Sequence, residues 1–202
     1  GEFDLQIEAL GGSSNAATGF DDVHFHVLVP PKVVEPALEL LLNLVLKPAL
    51  RSNSYSTERE VVLEEIAQYR DQPDEQVFQK LLETCWANHS YGRSILGLEA
   101  SLKASNPDQM RAFHNRLYHG QNCCLSIAGA IPAGIKDLIS NSLLSDLTGT
   151  VNCKRSKTMI ENLCFQKGRR SIQVPRLESA RLLMAWPIPP AKNQLMIMGA
   201  DI

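Results

Sequence analysis

The stretch Thr57–Pro73 constrains the fold more than any other part of this chain of 202 residues. It reads T-E-R-E-V-V-L-E-E-I-A-Q-Y-R-D-Q-P, in which carboxylates are interleaved with apolar residues that recur at helical spacing. Glu58 and Glu65 are seven residues apart, and seven residues turn an α-helix to within about 20° of its starting direction. The two carboxylates therefore share a helical face, roughly 10 Å apart along the axis. Such a pair could hold a cation or could face water, and the helix alone leaves both interpretations open.

The composition is that of an ordinary globular protein, with 44% hydrophobic and 21% charged residues. A net charge of -2 gives no electrostatic reason to expect a nucleic acid or an acidic membrane as a partner. The most apolar run, Leu38–Leu46, ends at Lys47 and Pro48. That is well short of the roughly 20 residues that a bilayer needs, so we predict no membrane span.

The five cysteines are odd in number and have no C-x-x-C spacing. We therefore predict buried free thiols in a soluble, reducing compartment, such as a bacterial cytoplasm or an organelle matrix or stroma. The chain has no initiator methionine and its first residues resemble the middle of a domain, so we expect a fragment. The cysteines are Cys85, Cys123, Cys124, Cys153 and Cys164.

The hydrophobic periods predict helices that alternate with a few strands, which indicates an α+β or α/β layered domain. The predicted helices are Phe3–Leu10 (stopped by Gly11–Gly12), Val34–Leu46, Glu58–Arg70 (capped by Ser56 or Thr57), Pro73 to about Trp86, a turn at Glu99–Lys103, Asn106–Tyr118, Ile131–Leu147 and a last one starting in Ala191–Ile202. The predicted strands are Phe20–Val29, a buried Asn122–Ala130, and Leu182–Trp186.

The sequence becomes polar and rich in turn signals over the segment Thr148–Lys157, and this change predicts a domain boundary. We predict a first domain over residues 1–150, a linker over 151–168, and the start of a second, similar domain over 169–202.

Two histidines on the first predicted strand form a separate candidate metal site. His24 and His26 point to one face of the strand together with Asp22, and such pairs do bind zinc. A solvated polar face explains the same pattern without any metal. His114 and His119 are five residues apart with no acid between them, so they do not form a zinc-protease helix.

Taken together, four segments in order resemble the pitrilysin/insulinase family of zinc metallopeptidases, which includes the mitochondrial processing peptidases. They are I-E-A-L-G-G-S-S-N-A-A-T-G-F-D-D-V-H-F at 7–25, E-R-E-V-V-L-E-E-I at 58–66, H-S-Y-G-R-S-I-L-G at 89–97, and N-C-C-L-S-I-A-G-A at 122–130. The resemblance covers about residues 3–145, and more weakly 170–202.

The resemblance implies an α+β fold, with a mixed β-sheet covered by helices and usually duplicated. It implies that Glu65 is the third protein ligand of a catalytic Zn²⁺ and that Glu58 is a supporting acid near it. It also implies that the strand edge formed by Asn15, Ala16, Ala17 and Thr18 binds substrate, by taking up an extended peptide as an added strand. The implied chemistry is attack on the peptide bond by a zinc-bound water.

One departure limits that expectation, because the family's inverted H-x-x-E-H motif, which carries two zinc ligands and the general base, is not in this sequence. Glu65 alone cannot hold zinc, since a catalytic site needs about three protein ligands. Either the chain is truncated upstream, or it is a non-catalytic relative that binds extended peptide without metal. In the first case the chain alone is inactive, and its partners are peptide substrate and the missing remainder of the peptidase or a homologous domain or subunit.

Overall fold

The structure is a computed structural model that describes residues 1–145, 165–188 and 193. Within these ranges the helices and strands follow in the order α1 Glu2–Ala9, β1 Ser13–Thr18, β2 Val23–Leu28, α2 Val34–Leu46, α3 Ser52–Asp71, α4 Pro73–Cys85, α5 Glu99–Ala104, α6 Pro107–Leu117 and α7 Ile135–Ser140. The chain divides into two compact units: Gly1–Glu60 with Ala100–Ser156, and Val61–Glu99 with Lys157–Ile202.

The first unit begins with a helix that ends in a glycine turn. Gly11 has a φ of +78°, and its N–H donates to the Glu8 carbonyl at 2.8 Å. The N–H of Gly12 donates to the Ile7 carbonyl at 3.0 Å. These two bonds form a Schellman motif, in which a glycine takes the left-handed conformation that other residues adopt at a cost. The predicted stop at the glycine pair is confirmed, and β1 begins directly after it.

β1 and β2 form an antiparallel hairpin, the one sheet found among the described residues. Its register pairs Ser13 with Leu28 and Thr18 with Val23. Phe25 and Val27 are half-buried while His24 and His26 are exposed, as alternation along a half-covered strand requires. The predicted strand is therefore confirmed in a shorter form, and helices with a small antiparallel sheet make the fold α+β, as predicted.

The core of the first unit lies between α1 and α2. Ile7 is fully buried, and Ala37, Leu38 and Leu42 are at most 6% exposed. Ala37, Leu38 and Leu42 fall at helical spacing on one face of α2, which explains why the most apolar run of the sequence is a helix and why it is inside.

α6 packs its histidine against the end of α2 and starts with a complete cap. The Asn106 side chain accepts from the Gln109 N–H at 2.9 Å, and the Gln109 side chain accepts from the Asn106 N–H at 3.1 Å. Pro107 occupies the first helical position, where no N–H is needed. His114 Nε2 lies 2.7 Å from the Val45 carbonyl oxygen of α2. The predicted helix start at Asn106 is confirmed.

The second unit has its buried side chains on α3 and α4. Ile66 and Cys85 are each 5% exposed. Beyond α4, the Trp86 ring meets Tyr91 edge-on with centroids 5.7 Å apart. Gly92 lies against the backbone at the end of α4, where a Cβ would come within 2.5 Å of the Trp86 carbonyl oxygen. The loop at 89–97 is therefore a tightly packed turn.

Several predicted boundaries are wrong. α3 begins at Ser52, so neither Ser56 nor Thr57 is its cap, and Tyr55 N–H already donates to the Arg51 carbonyl. α7 covers only Ile135–Ser140, and it does not begin at Ile131 because Gly134, with a φ of +87°, interrupts the helical backbone just before it.

Two predicted strands are also wrong. The segments 122–130 and 182–186 have no β-bridge in the structure. A strand is stable only when a neighbouring strand completes its hydrogen bonds, and the described residues provide none beside either segment. The predicted helix starting in Ala191–Ile202 falls, apart from residue 193, outside the described residues.

The prediction of buried thiols holds for one of the three described cysteines. Cys85 is buried, whereas Cys123 and Cys124 are exposed, because the segment that carries them has no covering strand. Cys153 and Cys164 lie outside the described residues, as does most of the predicted linker 151–168, so the domain limits remain a prediction. Among the described residues, no helix combines the length and apolar character needed to cross a membrane.

Candidate functional site

The two carboxylates singled out by the sequence lie on one continuous helix. α3 runs unbroken from Ser52 to Asp71, so Glu58 and Glu65 keep the seven-residue helical spacing that gives them a shared direction. Both side chains are exposed, while Ile66, next to Glu65, is buried. The buried Ile66 fixes the rotation of this part of the helix, and this leaves Glu65 directed away from the core.

An arginine between these acids is partly enclosed. Arg59 Nη2 donates to Glu60 Oε1 at 3.3 Å, and its side chain is 30% exposed. The Nε atom of Arg59 is buried without a hydrogen-bond partner among the described residues. A buried donor without an acceptor is unfavourable, so this position on α3 is one where a further acceptor would be stabilising.

The described residues do not form a complete metal site. Across residues 1–145 and 165–188, the structure brings no group of three or more His, Cys, Asp or Glu side chains together for a metal ion. Catalytic zinc needs about three protein ligands. The residues present therefore do not fit a whole zinc centre, and Glu65 can supply only one of its ligands.

The histidine pair on β2 does not amount to a centre either. The rings of His24 and His26 are stacked with centroids 5.9 Å apart, and His24 Nδ1 lies 3.7 Å from Asp22 Oδ2. All three side chains are exposed, and no such trio converges as metal ligands in the described part of the chain. The structure favours the solvated polar face over the metal pair.

The predicted peptide-binding segment forms the outer strand of the hairpin. Asn15, Ala16, Ala17 and Thr18 all lie on β1 and are exposed. β1 pairs with β2 along one side, and no described strand pairs with its other side. An edge of this kind presents backbone N–H and C=O groups that another extended chain can use.

The first unit contains a cavity of about 780 Å³ that has no signature in the sequence. Apolar side chains of β2 and α2 line it, and Cys123 and Cys124 lie at its border. Although Cys123 is exposed overall, partial desolvation of its thiol raises its pKa.

Two family models match adjacent parts of the chain. Residues 1–99 match the insulinase (peptidase family M16) model, and residues 105–199 match the model of the M16 inactive domain. The first match contains β1 and the whole of α3, and therefore all of the predicted site residues.

Similar curated proteins carry the names of proteases. An uncharacterized zinc protease of Bacillus subtilis, YmxG, is 32% identical over 133 residues, which cover 65% of this chain and 32% of that protein. One of Rickettsia bellii is 29% identical, covering 62% and 31%. The β subunit of the mitochondrial-processing peptidase of Dictyostelium discoideum is 28% identical, covering 63% and 27%. The chain thus spans about a third of the length of the curated relatives it matches.

Solved structures share the fold. A protease from Helicobacter pylori superposes with a TM-score of 0.67 at 24% identity, covering 72% of this chain and 35% of that one. Pitrilysin superposes with a TM-score of 0.57 at 18% identity, covering 72% and 16%. With two M16 models matching adjacent ranges of its sequence, the chain belongs to the insulinase (M16) family of peptidases, as its motifs indicated.

Proposed function

We propose that this chain is part of a zinc-dependent metalloendopeptidase that hydrolyses peptides or targeting segments, and that Glu65 is one of its zinc ligands. The observation that carries the proposal is the exposed Glu65 on the unbroken helix α3, inside the part of the chain that matches the insulinase model. The names of the similar zinc proteases support zinc as the metal.

The second acid has a supporting role in this proposal. Glu58 lies two helical turns before Glu65 on α3 and is exposed. At roughly 10 Å along the axis it is too far away to bind the same ion together with Glu65, but a second carboxylate on the shared face adds negative charge that favours a cation there.

Substrate binding is proposed at the outer edge of β1. A peptide that adds as a strand binds chiefly through main-chain hydrogen bonds, and these form whatever the side chains are. The exposed run Asn15–Thr18 offers such bonds on the side that β2 leaves open in the described structure. This mode suits a peptidase with a loose sequence preference.

The remaining metal ligands must come from outside the described residues. Because Glu65 is a single ligand, we expect the chain alone to be inactive and the complete site to need the remainder of a longer peptidase or a homologous domain. This expectation agrees with the matches to the curated relatives, which cover only about a third of each relative's length.

The test is Glu65→Gln in the full-length protein, with Glu64→Gln as the matched control. Glu64 is the neighbouring exposed acid on α3, and it points about 100° away around the helix. We expect Glu65→Gln to lose bound zinc, measured by elemental analysis after gel filtration, together with peptide cleavage. Glu64→Gln should keep both. Unchanged zinc content and unchanged cleavage in Glu65→Gln would end the ligand assignment.

A second candidate function is a non-catalytic homologous subunit that binds extended peptide without metal. It is favoured by the absence of any described three-residue metal group and by the match of residues 105–199 to an M16 domain described as inactive. The same zinc analysis on the unmodified full-length protein separates the two: a protein that binds peptide yet carries no zinc has the second function.

A further inference from the structure

One backbone donor on β1 is already occupied by the chain's own side chain. The N–H of Ala16 donates to Asn15 Oδ1 at 2.8 Å. In an antiparallel pair, residues alternate between those that exchange ladder bonds and those whose N–H and C=O point away from the partner. Ala16 is opposite Phe25 and gives its N–H to the Asn15 side chain, so it belongs to the second kind. Its amide therefore faces the outer edge of the hairpin.

The oxygen of Asn15 occupies the position that an added strand would need. A peptide that extends the sheet places a carbonyl oxygen against each outward N–H of the edge strand. At Ala16 that position already holds the side-chain carbonyl of Asn15. Asn15 is exposed, so its side chain can rotate into water and give the position up. Natural sheets commonly protect their edges against unwanted pairing, and a side chain bonded to the edge amide is such a protection.

The neighbouring outward position lies beside α1. By the same alternation Ser14 is an outward residue, and its hydroxyl donates to Asp4 Oδ1 of α1 at 2.6 Å. This contact places α1 at one end of the edge and leaves Ala16 as the outward amide nearest its middle. An incoming strand must therefore compete with the Asn15 side-chain oxygen for the Ala16 N–H.

We propose that Asn15 is a self-cap of the β1 edge: its side chain holds the Ala16 amide until an extended peptide displaces it, and this exchange sets the affinity of strand addition. The inference rests on the proposed docking of peptide at β1. Displacement trades one neutral hydrogen bond for another, and a neutral bond of this type changes an equilibrium by about twofold to tenfold. The cap thus weakens binding of any peptide by that factor and leaves sequence preference unchanged.

The experiment compares Asn15→Ala with Ser13→Ala, a substitution on the same face of β1 that leaves the Ala16 amide untouched. Asn15→Asp is a third variant, which keeps the acceptor oxygen and makes it charged. Exchange of the Ala16 amide with solvent is followed by NMR, which reports the cap without any ligand. Binding is measured with a fluorescent, acetylated peptide of alternating valine and threonine, and with the same peptide N-methylated at alternate residues, which cannot add as a strand.

We expect Asn15→Ala to speed exchange of the Ala16 amide and to bind the unmethylated peptide about twofold to tenfold more tightly. Ser13→Ala should change neither the exchange rate nor the affinity. Asn15→Asp should bind the peptide no more tightly than the native chain does. Faster exchange with unchanged affinity would overturn the self-cap and leave docking at β1 intact. If no variant binds the unmethylated peptide, or if all bind the methylated one equally well, strand addition itself fails and the self-cap falls with it.

Discussion

The glycine pair between α1 and β1 shows how one residue type can determine local structure. Gly11 supplies the left-handed φ of the turn, but Gly12 is needed for a different reason. A Cβ at Gly12 would lie 2.5 Å from Val29 Cγ1 and 2.6 Å from the Leu28 carbonyl oxygen. Close approach to a backbone oxygen cannot be relieved by turning a side chain, so the hairpin would have to move.

We therefore expect Gly12→Ala to destabilise the first unit by about 1–3 kcal/mol, the usual range for overpacking a filled site. The measurement is urea unfolding followed by far-UV circular dichroism. Gly168→Ala is the control, because no atom lies within 4 Å of a Cβ placed there, and its effect should stay within about 0.5 kcal/mol. Equal stability of the Gly12→Ala variant and the native chain would contradict the close approach.

At this scale the sequence predicted what depends on residue type and missed what depends on neighbours. A double glycine after an apolar helix is a recognisable stop, and seven-residue spacing placed Glu58 and Glu65 on one helix. Neither the bond from the Ala16 amide to the Asn15 side chain nor the partial desolvation that raises the pKa of the Cys123 thiol has a periodic signature in the sequence. Such features become visible only when the structure is known.

Among the elements, α6 is the one whose start is most completely encoded. Its cap uses the side chains of Asn106 and Gln109 in a reciprocal pair, with Pro107 between them. Three residues within four positions thus satisfy the first donors of the helix before any tertiary contact is made, which is why the predicted start was correct.

Removing that cap should weaken the helix in a predictable way. We expect Asn106→Ala to lower the free energy of unfolding by about 1 kcal/mol, because the Gln109 N–H loses its acceptor. Asn115→Ala, an exposed change within the same helix, should be neutral or slightly stabilising, since alanine is the better helix former. The measurement is thermal unfolding of both variants at one pH. Equal melting temperatures for the two variants would argue against a stabilising cap at Asn106.

Strands were harder to predict than helices for a physical reason. A helix closes its hydrogen bonds within its own segment, so α2 could be predicted almost residue by residue. A strand needs a partner, and the apolar runs at 122–130 and 182–186 favour a strand without supplying one. Leu182 and Trp186 are 82% and 69% exposed, so these segments have strand-like sequences without the covering that a strand receives in a sheet.

For the whole molecule, the incomplete metal site has a direct consequence. We expect the 202-residue chain to show no tight binding of Zn²⁺ in calorimetry, because its described residues bring no three ligands together. The control is the longer peptidase proposed above, in which the remaining ligands are present, and we expect it to bind zinc tightly under the same conditions. Tight, stoichiometric binding by the 202-residue chain would mean that it holds a complete site, and the proposed role of Glu65 as one partner among several would have to be revised.

The family and the fold class could be identified from the sequence because the four motifs occur in a fixed order along the chain. Whether the metal site is complete could not be predicted in this way, since the ligands of one metal ion come from segments far apart in sequence. The pattern of α3 identifies Glu65 as a candidate ligand, but it does not determine which other residues would bind the same ion.

The Schellman turn after α1 also has a mechanical meaning. No flexible linker separates α1 from β1, and the contact between Asp4 and Ser14 fastens the two elements a second time. Because the turn and this contact join helix and strand at two points, we expect the edge at Asn15 and Ala16 to shift together with α1.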